Sequence, residues 1–123
     1  MRLLIDTHIL IWLVRNDPRL TGPQRDALAD PDNAIMVSPV VAYELTNLQL
    51  TKRIPITETI GHLQDLVGFE LPDLPSDTWK HVAELPDIHR DPIDRMLIAH
   101  AVAGGMTLVT ADAMIRRYPV NCV

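Results

Sequence analysis

Hydrophobic and polar positions alternate along the chain in blocks that predict strands and helices in turn. The run Leu3-Leu4-Ile5 contains no polar residue and is typical of a strand that is buried on both faces. The predicted elements are a strand at 2–6, helices at 7–15 and 21–29, a strand at 34–37, helices at 39–50 and 57–67, a short strand at 69–71, helices at 76–85 and 92–104, a strand at 107–110, a short helix at 113–117 and a last strand at 120–123. This alternation predicts an α/β fold in which helices flank a mostly parallel sheet.

Capping signals mark several of the helix boundaries. Thr21 with Gln24 three residues later forms the pattern of a capping box. Ser38 precedes a proline, which suits the first helical position, and Ser76 is the expected N-cap of the helix at 76–85. The pair Gly104-Gly105 permits the left-handed turn that ends many helices.

Two acids lie at the carboxyl ends of predicted strands. Asp6 is the last residue of the first strand, and Asp112 lies just beyond the strand at 107–110. Open α/β sheets bind ligands in the crevice at the carboxyl ends of their strands, so both acids are expected to face one crevice.

Two further acids, Glu44 and Asp94, occupy the apolar faces of predicted helices, where the i, i+3, i+4, i+7 spacing turns them toward the core. The apolar residues that share these faces are Val41, Leu45 and Leu48 for Glu44, and Leu97, Ile98, Ala101 and Val102 for Asp94. An unpaired carboxylate on such a face costs several kcal/mol unless it is neutralised, hydrogen-bonded or bound to a cation.

The four acids together predict a metal site. The only lysines are Lys52 and Lys80, and no arginine lies on either inward face. Gathered carboxylates repel one another, and a divalent ion removes both the repulsion and the burial cost. Oxygen ligands alone select hard ions, Mg²⁺ or Mn²⁺.

Each acid alone also has a simpler interpretation. Asp94 in a first helical turn favours the helix dipole and can return a capping hydrogen bond to Asp91. Asp112 can cap the helix after it, and Asp6 can be a turn residue. Glu44 on its apolar face is hardest to explain in this way.

Composition and charge narrow the class of protein. A chain of 123 residues with no linker is expected to form a single domain, residues 1–123, with its own core. The net charge of −5 argues against a sequence-independent duplex binder. One cysteine, Cys122, excludes an intrachain disulfide, and no apolar run is long enough to cross a bilayer, so a cytoplasmic protein without a membrane partner is expected.

The histidines and large aromatic residues carry weaker signals. The five histidines have no metal-ligand spacing and are expected to be surface or satisfied polar residues, although His8 can line the crevice. The rings of Trp12, Tyr43 and Trp79 are expected in the core.

Several segments together resemble the PIN-domain family, and more narrowly the VapC-type toxins of toxin–antitoxin pairs. The resemblance covers essentially the whole length. The matching segments are Leu4-Ile5-Asp6-Thr7-His8, Val37-Ser38 with Tyr43-Glu44-Leu45, the run from His89 to Ala99 that reads HRDPIDRMLIA, and Leu108-Val109-Thr110-Ala111-Asp112. The chain departs from the commonest family pattern at His8 and at Ile93, which bear on substrate contacts more than on metal binding.

The resemblance implies a three-layer α/β/α sandwich with a central parallel sheet and Mg²⁺- or Mn²⁺-dependent endoribonuclease activity with one or two ions. Carried over by motif, the acidic site consists of Asp6, Glu44, Asp94 and Asp112. Thr7 and Thr110 are candidates for supporting contacts, and Asp91 is assigned to the helix cap with a supporting contact as the alternative. The family also implies an RNA substrate, a VapB-like antitoxin partner and a homodimer.

Two other functions are compatible with parts of this pattern. A phosphoacceptor signalling domain has a similar length and sheet, but it needs adjacent acids after the first strand and a late lysine, whereas Asp6 stands alone and no lysine follows Lys80. A catalytically inactive PIN-like module that binds RNA or protein would be expected to lack one of the four acids.

Overall fold

A parallel three-stranded sheet forms the centre of the molecule. The computed structural model describes all residues, Met1–Val123. Its elements are β1 (Arg2–Ile5), α1 (Thr7–Arg15), α2 (Gly22–Ala29), β2 (Ala34–Met36), α3 (Pro39–Leu50), α4 (Ile60–Val67), α5 (Thr78–Glu84), α6 (Pro92–Gly104), β3 (Thr107–Val109) and a 3₁₀ turn (Ile115–Arg117). The strand order is β2-β1-β3 and both pairings are parallel, which confirms the predicted α/β fold class.

Strand β1 lies in the middle of the sheet because its side chains are apolar on both faces. Leu3, Leu4 and Ile5 are each fully buried. Leu4 pairs with Met36 on one side and with Leu108 on the other. These residues belong to a single core cluster of 22 buried side chains, so one core serves the whole chain.

The two connections between strands run in opposite directions across the sheet. Helices α1 and α2 connect β1 to β2, whereas α3 to α6 connect β2 to β3 on the other side of β1. Right-handed crossovers of this order put the two groups of helices on opposite faces of the sheet. They also open a crevice at the carboxyl ends of β1 and β3, where the connections diverge.

The predicted helix caps are largely confirmed. Thr21 and Gln24 form both bonds of a capping box, at 3.2 and 3.1 Å. The Ser38 hydroxyl accepts a hydrogen bond from the Val40 N–H at 3.2 Å, and Gly105 ends α6 with a φ of +60°. A cap of this kind stabilises its helix by about 1 kcal/mol.

The middle third and the C-terminus depart from the predicted elements. Helix α4 begins at Ile60, where Thr59 caps it, rather than at 57. The N-cap of α5 is Asp77 rather than Ser76, and the adjacent Thr78 hydroxyl donates to the carbonyl of Pro75. The segments predicted as strands at 69–71 and 120–123 each contribute one bridge, and the predicted helix at 113–117 is the 3₁₀ turn. These segments are too short to extend a ladder.

Three apolar side chains predicted to face the core are exposed instead. Tyr43 is 62% exposed, Trp79 is 66% exposed and Val102 is 40% exposed. The prediction for Tyr43 is wrong because this residue lies one position from Glu44, about 100° around α3 from the face that carries Val41 and Leu45. On α6 the neighbouring packed face includes His100, whose Nδ1 lies 2.9 Å from the Ser38 hydroxyl.

None of the helices combines the length and the apolar composition that are needed to cross a membrane.

Candidate metal centre

The four predicted acids line one cavity of about 490 Å³ at the carboxyl edge of the sheet. Asp6 and Asp112 reach it from the ends of β1 and β3, and Glu44 and Asp94 reach it from α3 and α6. Thr7 and Asp91, two of the predicted supporting residues, also line this cavity. Thr110, the third predicted supporting residue, is fully buried and forms hydrogen bonds to Asp6 and to the backbone of Asp112.

Asp6 both caps a helix and faces the cavity. Its Oδ1 accepts a hydrogen bond from the Ile9 N–H at 2.8 Å, at the start of α1. Burial raises the pKa of Asp6, while hydrogen bonds from the Thr110 side chain and the Ile9 backbone oppose this rise. The residue is only 6% exposed. The capping role therefore fixes one oxygen of a buried carboxylate without excluding a ligand role for the other.

Asp112 is held in a similar way. Its Oδ1 accepts from the Met114 N–H at 2.8 Å, and its own N–H donates to the Thr110 hydroxyl at 3.0 Å. Thr110 thus links Asp6 and Asp112, the two acids that follow neighbouring strands. Thr110, one of the predicted supporting residues, therefore contacts both of these acids.

Asp94 and Asp91 belong to the same sequence motif but differ in the hydrogen bonds that their carboxylates accept. Asp91 is the N-cap of α6, and its Oδ1 accepts from the N–H groups of Ile93 and Asp94 at 2.9 and 3.2 Å. Asp94 lies in the first turn of α6, but its carboxylate accepts no hydrogen bond within the chain, so the returned capping hydrogen bond to Asp91 is not formed. Its side chain is 23% exposed and extends into the cavity.

Electrostatic repulsion in the cavity is concentrated on Asp94. Burial and the negative charges of its neighbours raise its pKa to about 7. The contributing neighbours, in decreasing order, are Asp91, Asp112, Glu44 and Asp6. Burial is the largest cause of the rise, and repulsion among these carboxylates without a compensating cation adds to it.

Glu44 completes the predicted set from α3. It is partly buried, as its position beside Val41 and Leu45 predicts, and no protein group donates a hydrogen bond to its carboxylate. Its negative charge contributes to the raised pKa of Asp94.

His89 is a residue of the site that the sequence did not reveal. Its Nε2 lies 3.4 Å from Oδ2 of Asp94 and is buried without a hydrogen-bond partner. Atoms of His89, Asp94 and Asp112 lie within 4.8 Å of one another, a spacing suited to a metal ion. Asp6 and Glu44 share the cavity but not this tightest group. His89 has no other histidine or cysteine at metal-ligand spacing in the sequence, so the sequence did not indicate that it lies beside the acids.

Hydrogen bonds on the other side of the ring define the role of His89. Its Nδ1 accepts from the Asp91 N–H at 3.1 Å, so the neutral ring carries its proton on Nε2. The buried Tyr118 hydroxyl bonds both the N–H and the carbonyl of His89 at 3.0 Å. This tautomer places the N–H of Nε2 3.4 Å from Oδ2 of Asp94 but outside hydrogen-bond geometry, so Nε2 offers no free lone pair to a metal.

The donor set fits a hard divalent cation. Five carboxylates line the cavity, Arg19 is the one permanently charged cation among the lining residues, and no lysine is present. At least two of these carboxylates, those of Glu44 and Asp94, lack a protein donor. Oxygen donors in this number suit Mg²⁺ or Mn²⁺, with water at the remaining positions.

Comparisons with known proteins agree with this architecture. The PIN domain model matches residues 3–121, and the chain therefore belongs to the PIN-domain family. No significant match was found among curated proteins.

Three solved structures of low sequence identity share the fold along their whole length. A chain of VapBC2 from Rickettsia felis, bound to a DNA fragment from its promoter, has a TM-score of 0.73 at 22% identity, with 100% of this chain and 98% of that chain covered. A chain of DNA-bound VapBC from Salmonella typhimurium has a TM-score of 0.67 at 17% identity, and one of VapBC-1 from nontypeable Haemophilus influenzae has 0.66 at 15%, each with coverages of 100% and 97%. At these identities the similarity establishes the fold.

Proposed function

We propose that the protein is a Mg²⁺- or Mn²⁺-dependent endoribonuclease, the VapC-type toxin of a toxin–antitoxin pair. The observation that carries this proposal is the meeting of four carboxylates, from β1, α3, α6 and the end of β3, in one cavity with a single arginine. Such a concentration of uncompensated negative charge destabilises the folded state, and a bound divalent ion would neutralise it.

Asp6, Glu44, Asp94 and Asp112 would hold one or two ions. When bound, such an ion lowers the pKa of an attacking water and neutralises charge on the phosphodiester. The remaining chemistry belongs to the chain. Asp6 and Asp112 are each fixed by one backbone N–H, which leaves their second oxygens directed by rigid helix and turn geometry.

Supporting residues hold these ligands in place. Thr110 bonds to Asp6 and to the backbone of Asp112, and His89 orients Asp94. Asp91 keeps the first turn of α6 in position and adds negative charge to the cavity, so it combines the cap and the supporting role. Thr7, at the first position of α1, is buried against the cavity. Metal ligands held in this way lose little entropy when the ion binds.

The partner and the cellular role are inferred from the structural neighbours, which are VapBC assemblies. We infer a VapB-like antitoxin that covers the acidic cavity, a homodimer and a cytoplasmic site of action. An RNA substrate is consistent with the negative net charge, because divalent ions bridge carboxylates and phosphates.

An inactive binding module is less well supported, because none of the four acids is missing and all four share the cavity. A phosphoacceptor domain is disfavoured because the cavity contains no lysine.

The test is cleavage of total cellular RNA by the purified protein in Mg²⁺, in Mn²⁺ and in EDTA, with mapping of the new ends. We expect ion-dependent cleavage that Asp6→Asn and Asp94→Asn abolish. The matched control is Asp65→Asn, since Asp65 is an exposed acid on α4 outside the cavity. Undiminished cleavage by a folded Asp94→Asn protein would refute the assignment, and EDTA-resistant cleavage would refute the metal dependence.

A further inference from the structure

One wall of the acidic cavity is formed by flat side chains instead of carboxylates. His8, Trp12 and Arg19 make up this segment of the lining, which we call the aromatic wall. His8 and Trp12 are four residues apart on α1, and their ring centroids lie 6.2 Å apart. The guanidinium carbon of Arg19 lies 4.8 Å from the centre of the Trp12 ring.

Arg19 is exposed but held in one orientation. Its Nε and Nη2 donate to the two carboxylate oxygens of Asp17 at 3.1 and 2.8 Å, and its backbone N–H donates to Oδ1 at 2.9 Å. These hydrogen bonds lower the pKa of Asp17 to about 2, so the partner remains charged across the working range of pH. The Arg19 side chain is nevertheless 67% exposed.

The loop that carries this pair is itself anchored. Arg25 donates to the carbonyl of Asp17 at 2.6 Å, to the side chain of Asn16 at 3.0 Å and to the carbonyl of Leu20 at 3.3 Å. The Asp17 N–H also donates to the carbonyl of Trp12 at 2.8 Å. The position of Arg19 over Trp12 is therefore set by the backbone of the loop.

This geometry leaves most of a planar cation exposed. The Arg19 guanidinium lies over the Trp12 ring, Asp17 accepts from its Nε and Nη2, and the 67% exposed side chain lines the cavity. An exposed ion pair of this kind contributes little to stability, so stabilisation of the fold is a weak explanation for the fixed Arg19 side chain. Guanidinium planes are among the surfaces on which proteins stack unpaired RNA bases, and a plane that is already fixed loses little entropy on stacking.

We propose that the exposed guanidinium of Arg19, held over Trp12, stacks on a nucleobase of single-stranded RNA beside the phosphate that enters the acidic cavity. The inference rests on the proposed nuclease function, and it assigns these two residues to substrate binding. Arg19 then supplies the attraction for RNA that the surrounding carboxylates cannot supply.

The chain offers a matched control outside the acidic cavity. Lys80 lies 5.6 Å from the centre of the exposed Trp79 ring, so it also forms a cation–aromatic pair. No carboxylate fixes Lys80, and neither residue lines the acidic cavity. A general effect of removing a surface cation should appear equally in Lys80→Ala.

The kinetic test measures kcat and KM for a single-stranded oligoribonucleotide that contains the mapped cut site. We expect Arg19→Ala to raise KM about tenfold with kcat within about threefold, and Lys80→Ala to change neither; tenfold corresponds to about 1.4 kcal/mol. Arg19→Lys separates stacking from charge, and we expect it to share the defect. A wild-type KM in Arg19→Ala, or full rescue by lysine, would overturn the proposal.

A binding measurement keeps the test independent of cleavage. In a Trp79→Phe protein, Trp12 is the only tryptophan, because the chain has two. We expect a ten-nucleotide RNA in EDTA at low salt to quench its fluorescence, and Arg19→Ala to weaken this effect. If the wild-type protein cleaves no RNA, the proposed function fails and this titration decides the stacking site by itself: Arg19-dependent quenching supports it and no quenching overturns it. If cleavage is present, the kinetic result decides.

Discussion

Oδ2 of Asp94 lies 3.4 Å from Nε2 of His89, and neither group forms a hydrogen bond within the chain. The Asp91 N–H donates to the opposite ring nitrogen, which sets the tautomer that carries its proton on Nε2, the nitrogen nearer Asp94. Asp91 thereby influences Asp94 in two ways, through the ring of His89 and through its own negative charge.

His89→Ala is expected to weaken Mn²⁺ binding about 10- to 100-fold, because removal of a residue that orients a metal ligand typically has an effect of this size. Isothermal titration with Mn²⁺ measures the change. His62→Ala is the control, since His62 is exposed on α4. Unchanged affinity in a folded His89→Ala protein would contradict the orienting role.

Thr110→Val is expected to reduce cleavage at least tenfold while the protein stays folded. The substitution preserves the shape of a fully buried side chain but removes the hydroxyl that bonds to Asp6 and to the Asp112 N–H. The unpaired N–H should also lower the free energy of unfolding by about 1–3 kcal/mol. Denaturant titration and a cleavage assay test the two effects, and wild-type rates would exclude a supporting role.

The raised pKa of Asp94 predicts the pH dependence of stability in EDTA. The folded protein holds the Asp94 proton up to about pH 7, whereas the unfolded chain releases it near the ordinary value of 3.8. Between these values the folded state binds more protons, so the contribution of Asp94 to stability decreases as pH rises from about 4 to about 7. Burial shifts the pKa of Asp6 in the same direction.

Asp94→Asn removes this contribution. We expect the variant to be more stable than the wild type at pH 8 in EDTA, by on the order of 1–2 kcal/mol after solvent screening is allowed for, and similar to it at pH 4. Urea titrations at the two pH values measure the difference, with Asp65→Asn as the control. Equal pH profiles for wild type and Asp94→Asn would show that the cavity charges do not interact.

Millimolar Mn²⁺ is expected to raise the melting temperature, because an ion that binds only the folded state stabilises it by about 2.7 kcal/mol at 100 times its Kd. The rise should be lost in Asp94→Asn and retained in Asp65→Asn. A rise of equal size in both variants would locate the ion elsewhere.

The sequence predicted the parts of the fold that depend on local pattern. Leu3, Leu4 and Ile5 form the central strand because an uninterrupted apolar run has to be buried on both faces. Capping by Thr21 and Ser38 was predictable since it depends on residues two or three positions away. Glu44 and Asp94 were found by the conflict between their charge and their apolar helix faces.

Features that depend on distant segments were not predictable in this way. The place of His89 in the site depends on its contacts with the Tyr118 hydroxyl and the Asp94 carboxylate, which only the folded chain brings next to it. Trp79 is exposed because α5 packs against α6 through other side chains. The position of Arg19 over Trp12 depends on a loop conformation that includes a left-handed Asn16, with a φ of 50°.

The most direct test is anomalous diffraction from crystals of the protein soaked in Mn²⁺. The proposed site predicts a manganese peak within the cavity, at ligand distances of about 2.0–2.3 Å from carboxylate oxygens of the set formed by Asp6, Glu44, Asp94 and Asp112. An empty cavity at saturating Mn²⁺, or a peak bound only by acids outside it, would contradict the account.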